Sequence, residues 1–96
     1  SVKSSRQIFI DAGSAKTLSN GNSVLAAGII KVTGKFKKAE NILISDQNNN
    51  NLARGLSSFN SNEIDKIKGQ HSDEIQKILG YLSKSEIIHK DDMVKL

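Results

Sequence analysis

Apolar positions fall in short β-branched clusters through the first part of the chain and take helical spacing only later. Gln7-Ile8-Phe9-Ile10, bounded by Asp11 and Gly13, predicts a strand. Ala12 to Leu18 then fits a short helix, with Asp11 as its N-cap and Asn20-Gly21 as its stop. Ile29 to Thr33 is β-branched except for Lys31, which favours a strand; Gly34 ends it and Phe36 is an expected core residue. Lys37-Lys38-Ala39-Glu40 separates that strand from Asn41-Ile42-Leu43-Ile44-Ser45. The Asn run at 48–51, after Asp46-Gln47, reads as a polar hairpin tip, because Asn tolerates positive φ and bonds its own backbone. Leu52 to Ser58 returns as the partner strand, with Gly55 a bulge or a close-packing site.

The spacing changes after Phe59. Asn60 followed three residues on by Glu63 reads as a capping box, and Ile64 and Ile67 share a helix face until Gly69. A second short helix is expected after Ser72 as N-cap, with Asp73 and Glu74 well placed against the helix dipole. Ile75, Ile78 and Leu79 give it an apolar stripe, and Gly80 closes it. Glu86 to His89 and Met93 to Leu96 are expected strand segments flanking an Asp91-Asp92 turn. The fold class is therefore α+β, mainly β, with about five to six strands. One short helix follows the first strand, and two small helices precede the last.

A chain of 96 residues predicts one domain, which buries about 60–70% of its unfolded surface. There is no Cys, which excludes disulfides and thiolate metal sites and fits a reducing compartment. The longest apolar run, Val24 to Ile30, falls far short of the ~20 residues that span a bilayer. Residues 1–20 have no signal-peptide layout, so the expectation is a cytoplasmic protein with no membrane partner.

Fourteen Lys and Arg against ten Asp and Glu give a net charge of +4. That balance favours association with phosphates, but it also serves solubility alone, which is the preferred reading. Phe9, Phe36, Phe59 and Tyr81 are the only aromatics, too few for a binder that stacks successive bases on rings.

Neither the GxxxxGK[ST] nor the GxGxxG phosphate-binding pattern occurs. His71 and His89 lack metal-ligand spacing, so no metal is expected. His89 is read as a strand residue whose ring bonds a turn carboxylate or carbonyl, and His71 as capping or solvated. General acid–base work needs carboxylates facing one substrate from separate elements. Asp73/Glu74 and Asp91/Asp92 are adjacent in sequence and are read as cap and turn residues. No catalytic residue is assigned. Lys31, Lys35, Lys37 and Lys38 surround the end of one strand, and Lys16 lies on the first helix. Together they form either a phosphate patch or, as the preferred reading, a solvated edge that blocks strand pairing.

Four segments carry a family resemblance. They are Ile10-Asp11-Ala12-Gly13-Ser14-Ala15-Lys16-Thr17-Leu18, Ser23-Val24-Leu25-Ala26-Ala27-Gly28-Ile29, Val32-Thr33-Gly34-Lys35-Phe36 and Leu52-Ala53-Arg54-Gly55-Leu56. In that order they resemble the PUA domain, a small pseudo-barrel named for pseudouridine synthases and archaeosine transglycosylases. The tail is more specific. Asn62-Glu63-Ile64, Ile67-Lys68-Gly69, Ser72-Asp73-Glu74-Ile75, Leu79-Gly80-Tyr81 and Ile87-Ile88-His89-Lys90-Asp91-Asp92-Met93-Val94 resemble the C-terminal PUA domain of the bacterial glutamate 5-kinase family. Three positions depart from its pattern: Ala26 where the family prefers Pro, Ala39 where a turn Gly is common, and Asp92 where an Asn is usual.

The resemblance implies a PUA-like pseudo-barrel over residues 1–96, with the kinase domain absent from this chain. The implied parent phosphorylates L-glutamate with ATP to L-glutamyl 5-phosphate in proline biosynthesis. ATP and Mg belong to its kinase domain, and no cofactor to this chain. The implied partner is that kinase domain in an oligomeric parent, the isolated domain being a monomer, with a role in regulation, assembly or RNA contact. The alternative is a stand-alone RNA-binding PUA module. In RNA-binding members of the family the first helix and the entry to the second strand touch the nucleic acid, which correspond here to Ala12–Lys16 and Ala26–Lys31. The RNA-contact candidates are then Lys16, Gly28, Lys31, Lys35, Lys37 and Lys38. A third reading is an interaction module that uses exposed apolar surface on the small helices or the final strand.

Overall fold

Period-two alternation places Ile8 and Ile10 of strand β1 (Gln7–Ile10) in the core, fully buried, while Phe9 faces outward. The structure is a computed structural model that describes residues 6–96. β1 is followed by α1 (Ala12–Ser19), β2 (Val24–Leu25), a 3₁₀ turn at Ala26–Gly28, β3 (Ile29–Thr33), β4 (Asn41–Ser45) and β5 (Asn51–Leu56). Two helices, α2 (Ser61–Ile67) and α3 (Ser72–Leu79), come next. The chain closes with β6 (Glu86–Ile88), a second 3₁₀ turn at Lys90–Asp92 and β7 (Met93–Lys95).

The strands form a five-stranded sheet, in the order β3-β1-β4-β5-β7, and a separate pair, β2-β6. All neighbours are antiparallel except β1 and β4. A parallel pair needs a long crossover, here α1, β2 and β3. The described strands do not close into a single ring. The count exceeds the expectation because β2 is a strand of its own, only two residues long.

The core is dominated by isoleucine. Ile42 and Ile44 from β4, Ile64 and Ile67 from α2, Ile75 from α3 and Ile87 and Ile88 from β6 meet β1's pair, with Phe59 filling the space before α2. β-branched side chains suit a pleated surface, and three of them on short helices extend the same apolar layer. α3 uses a narrower stripe than its spacing predicts: Ile75 is buried and Leu79 partly so, while Ile78 is exposed.

Local signals operate at several of the expected places. Asn60 Oδ1 accepts from the Glu63 N–H at 2.8 Å and the Asn60 N–H donates to Glu63 Oε1 at 2.9 Å, a complete capping box. Gly80 takes the left-handed conformation, with φ 81°, at the end of α3. The start of α3 is a correction: His71, with extended backbone, is the N-cap and Ser72 is the first helical residue. His71 contributes no side-chain cap bond, and Asp73 and Glu74 in the first turn face the positive end of the dipole instead.

The hairpin tip spans residues 46–50 rather than 48–51, because Asn51 already pairs with Ser45. Asp46 organises it, accepting from the Asn48 N–H, the Asn50 N–H and Asn50 Nδ2, each at 2.9 Å. Asn50's side chain, then its backbone N–H, with help from that of Asn48, holds the Asp46 carboxyl below its ordinary pKa.

The tail is not a hairpin. β6 pairs with β2, whereas β7 pairs with β5 at the sheet edge, so the 3₁₀ turn between them carries the chain from one sheet to the other. It crosses β5 at Gly55, where a Cβ would stand 2.7 Å from Ile88 Cγ2 and 2.9 Å from the Asp92 carbonyl oxygen. Gly55 is thus the close-packing site. The irregularity in this hairpin lies between Ile44 and Ser45.

Two substitutions test this backbone reading by urea denaturation. Gly55→Ala should lower stability by about 1–3 kcal/mol, since backbone on one side of the new methyl cannot yield. Ala39→Gly should act oppositely and raise it by about 1 kcal/mol, because Ala39 is held at φ 71°.

Candidate nucleic-acid interface

Asp11 sets the geometry of the α1 end of the molecule. Its carboxylate accepts from the Ser14 N–H at 2.7 Å, satisfying a helix-start donor, and its carbonyl accepts from the Ala15 N–H at 2.9 Å. Its own N–H donates to the Gly28 carbonyl at 2.9 Å. Gly28 is a site of close approach: a Cβ there would lie 1.6 Å from Ser14 Oγ and 2.7 Å from Ser14 Cβ. The first turn of α1 therefore rests directly on the Ala26–Gly28 turn. The Gly69 N–H donates to the Ala26 carbonyl at 2.8 Å, tying the end of α2 to the same turn.

This packing leaves a cleft of about 590 Å³ between α1, β2 and the end of β6. Gly13, Ser14 and Thr17 form one wall, and Glu86, His89 and Lys90 form the other. Ser23 Oγ accepts from the Lys90 N–H at 2.8 Å and joins the two sides. His89 is the cap of the Lys90–Asp92 turn rather than a residue within a strand. Its Nδ1 accepts from the Asp91 N–H at 3.1 Å, with the Asp91 carboxylate 3.5 Å away. The expected ring-to-turn bond exists, but its partner is a backbone donor. Hydroxyls, exposed main chain, one ammonium and one carboxylate line it together with the half-exposed Leu25 and with Ala27. No nucleophile–base pair is organised in this cleft.

The six residues proposed from sequence are not gathered there. Gly28 alone lines the cleft. Lys16 is exposed on α1. Lys31 places its ammonium 5.5 Å from the centre of the Phe9 ring, in a shallow depression on the outer face of the sheet with Ile30 and Gln47. Lys35 and Lys37 are exposed beyond β3, and Lys38 lines a third depression beside Phe59. Sequence reading missed Lys90 as a cleft cation. The signal lay in the Val24↔Ile88 pairing, which brings the tail beside α1 and which no local pattern announces. Among the described residues no group of three or more His, Cys, Asp or Glu is placed to hold a metal ion, and no helix is long and apolar enough to cross a membrane.

The PUA domain family model matches residues 6–79, and the chain belongs to the PUA domain family. Its full length is similar to the C-terminal region of glutamate 5-kinases. It is 58% identical to that of Pelagibacter ubique over 96 residues, covering 100% of this chain and 26% of the relative. The enzyme of Microcystis aeruginosa is 45% identical over 91 residues, covering 94% of this chain and 24% of the relative. The chain thus spans about a quarter of the length of the curated relatives it matches. Among solved structures, a PUA domain from Aeropyrum pernix superposes with a TM-score of 0.65 at 13% identity, over 88% of this chain and 41% of that one. A conserved PUA domain protein from Thermoplasma acidophilum gives 0.61 at 18% identity, over 88% and 48%. Both likenesses bear on the fold.

Proposed function

We propose that this chain is the non-catalytic C-terminal module, a single PUA domain, of a cytoplasmic glutamate 5-kinase. The parent enzyme transfers a phosphoryl group from ATP to the side-chain carboxylate of L-glutamate, forming L-glutamyl 5-phosphate for proline synthesis. The observation that carries this reading is the 58% identity to such an enzyme along the entire chain. In this reading nucleotide, metal and glutamate belong to the parent's kinase domain, and this module serves regulation, assembly or RNA contact. The isolated chain, checked for fold by circular dichroism, should form no glutamyl phosphate from ATP and glutamate; measurable turnover would overturn the non-catalytic assignment.

A second reading, RNA binding, is favoured by the cleft that joins main chain at Gly28 and the first turn of α1 to Lys90, in a chain of net charge +4. Lys16, on the same helix as Gly13, Ser14 and Thr17, is then an accessory phosphate contact, whereas Lys31, Lys35, Lys37 and Lys38 do not line the cleft. Structured RNA should bind at low salt and weaken steeply as salt rises, and Lys90→Glu should weaken it about tenfold. Absence of binding at low salt, where counterion release favours it most, would remove this reading.

A further inference from the structure

The large sheet ends in two unlike edges. β3 forms one of them and carries Lys31, with Lys35, Lys37 and Lys38 following it, cations of the kind that keep an edge strand from pairing. β7 forms the other, with β5 as its one neighbour among the described strands. Its side chains have the opposite character: Val94 is 69% exposed, and Leu96, just beyond the strand, is 67% exposed. Lys95 between them is drawn aside, because its Nζ donates to the Ser19 carbonyl at the end of α1, at 3.1 Å.

The direction of the main-chain groups on β7 follows from its ladder. The Leu96 N–H donates to the Leu52 carbonyl at 3.0 Å, so Leu96 turns its main-chain groups toward β5. These groups alternate sides from one residue to the next along a strand. With Arg54 opposite Val94, Val94 therefore bonds toward β5, whereas Met93 and Lys95 direct theirs to the open side. No described strand lies beyond them. The N–H and carbonyl groups of these two residues stand in a row, placed symmetrically about Val94.

We propose that β7 pairs antiparallel with β7 of a second copy of this chain, with the two-fold axis at Val94. Met93 of each copy then faces Lys95 of the other, and the two pairs satisfy every open main-chain group of both residues. Val94 meets its counterpart in the non-hydrogen-bonded position, where Cα atoms stand about 4.5 Å apart and β-branched side chains pack across the strands. Neighbouring registers are poorer. An axis at Lys95 sets two cationic side chains directly opposite each other, and an axis at Met93 brings the Lys90–Asp92 turn where a strand is needed. Leu52 and Leu56 of β5 share the face of Val94 by alternation and extend the apolar surface on each side of the joint. So small a contact belongs to the weak, transient class. It requires the described chain alone and is independent of the kinase reading.

The chain contains no Cys, so a single introduced thiol reports the contact. Val94→Cys should form a disulfide-linked dimer in mild oxidant, since the spacing at the axis falls in the range of about 4.4–6.8 Å that a disulfide spans. Leu96→Cys is the control: it is as exposed, but its two copies would stand about 14 Å apart along the paired strands, too far to bridge. At equal concentration the first variant should cross-link about tenfold faster than the second. Lys95→Pro added to Val94→Cys removes an outward donor and keeps the bonds to β5, so it should slow the cross-link about tenfold with the circular dichroism of the folded chain retained. Sedimentation of the original chain should show a monomer–dimer equilibrium, which Val94→Asp, at a solvent-exposed position, abolishes by setting like charges at the axis. Equal rates for the two cysteine variants, a folded proline variant that links undiminished, a dimer indifferent to Val94→Asp, or a monomer at every concentration would each overturn the pairing.

Discussion

A missing side chain at Gly55 is the constraint on which the two-sheet arrangement depends. The chain leaves β6, turns through Lys90–Asp92 and reaches β7 by crossing β5 where only hydrogen occupies the Cβ position. That crossing lets Ile87 and Ile88 close the core while Met93–Lys95 pairs at the edge of the large sheet. A side chain there would meet backbone at the Asp92 carbonyl, and backbone in a packed interior yields little. The same crossing holds β6 against β2, and the cleft beside α1 is one consequence.

Gly28 plays a similar part on the other side of that cleft. It allows α1 to sit on the Ala26–Gly28 turn at a distance no other residue permits, while Asp11 ties the two together through its N–H and caps the helix with its carboxylate. The result is a surface of hydroxyls, main chain and the apolar Leu25 and Ala27, to which Lys90 adds a cation.

The cleft and the depression around Leu82 share no lining residue. One is built from α1, β2 and the β6 end. The other lies between Lys38, the start of α2 and residues 81–84. The lysines around β3 belong to neither as a group: Lys31 lies over Phe9 on the outer sheet face, and Lys38 lines the depression beside Phe59.

The sequence by itself determined the features that act within a few residues. The Gln7–Ile10 cluster made a strand; the Asn60–Glu63 box started α2; Gly80 ended α3; and Asp46 and its asparagines made the hairpin tip. Each is a contest among neighbours along the chain, so its outcome is written in adjacent residue types. Family resemblance in the tail was legible in the same way. The cleft was not. Lys90 and His89 reach α1 only because β2, two residues long, pairs with β6 far along the chain, and a two-residue strand carries no period to read. The dispersal of the lysines was equally hidden, because neighbours in sequence beyond a strand end point to different faces once the sheet and the returning tail are in place. Only tertiary packing decides such encounters: they depend on which distant strands pair, and that is set by burial of the whole apolar layer at once.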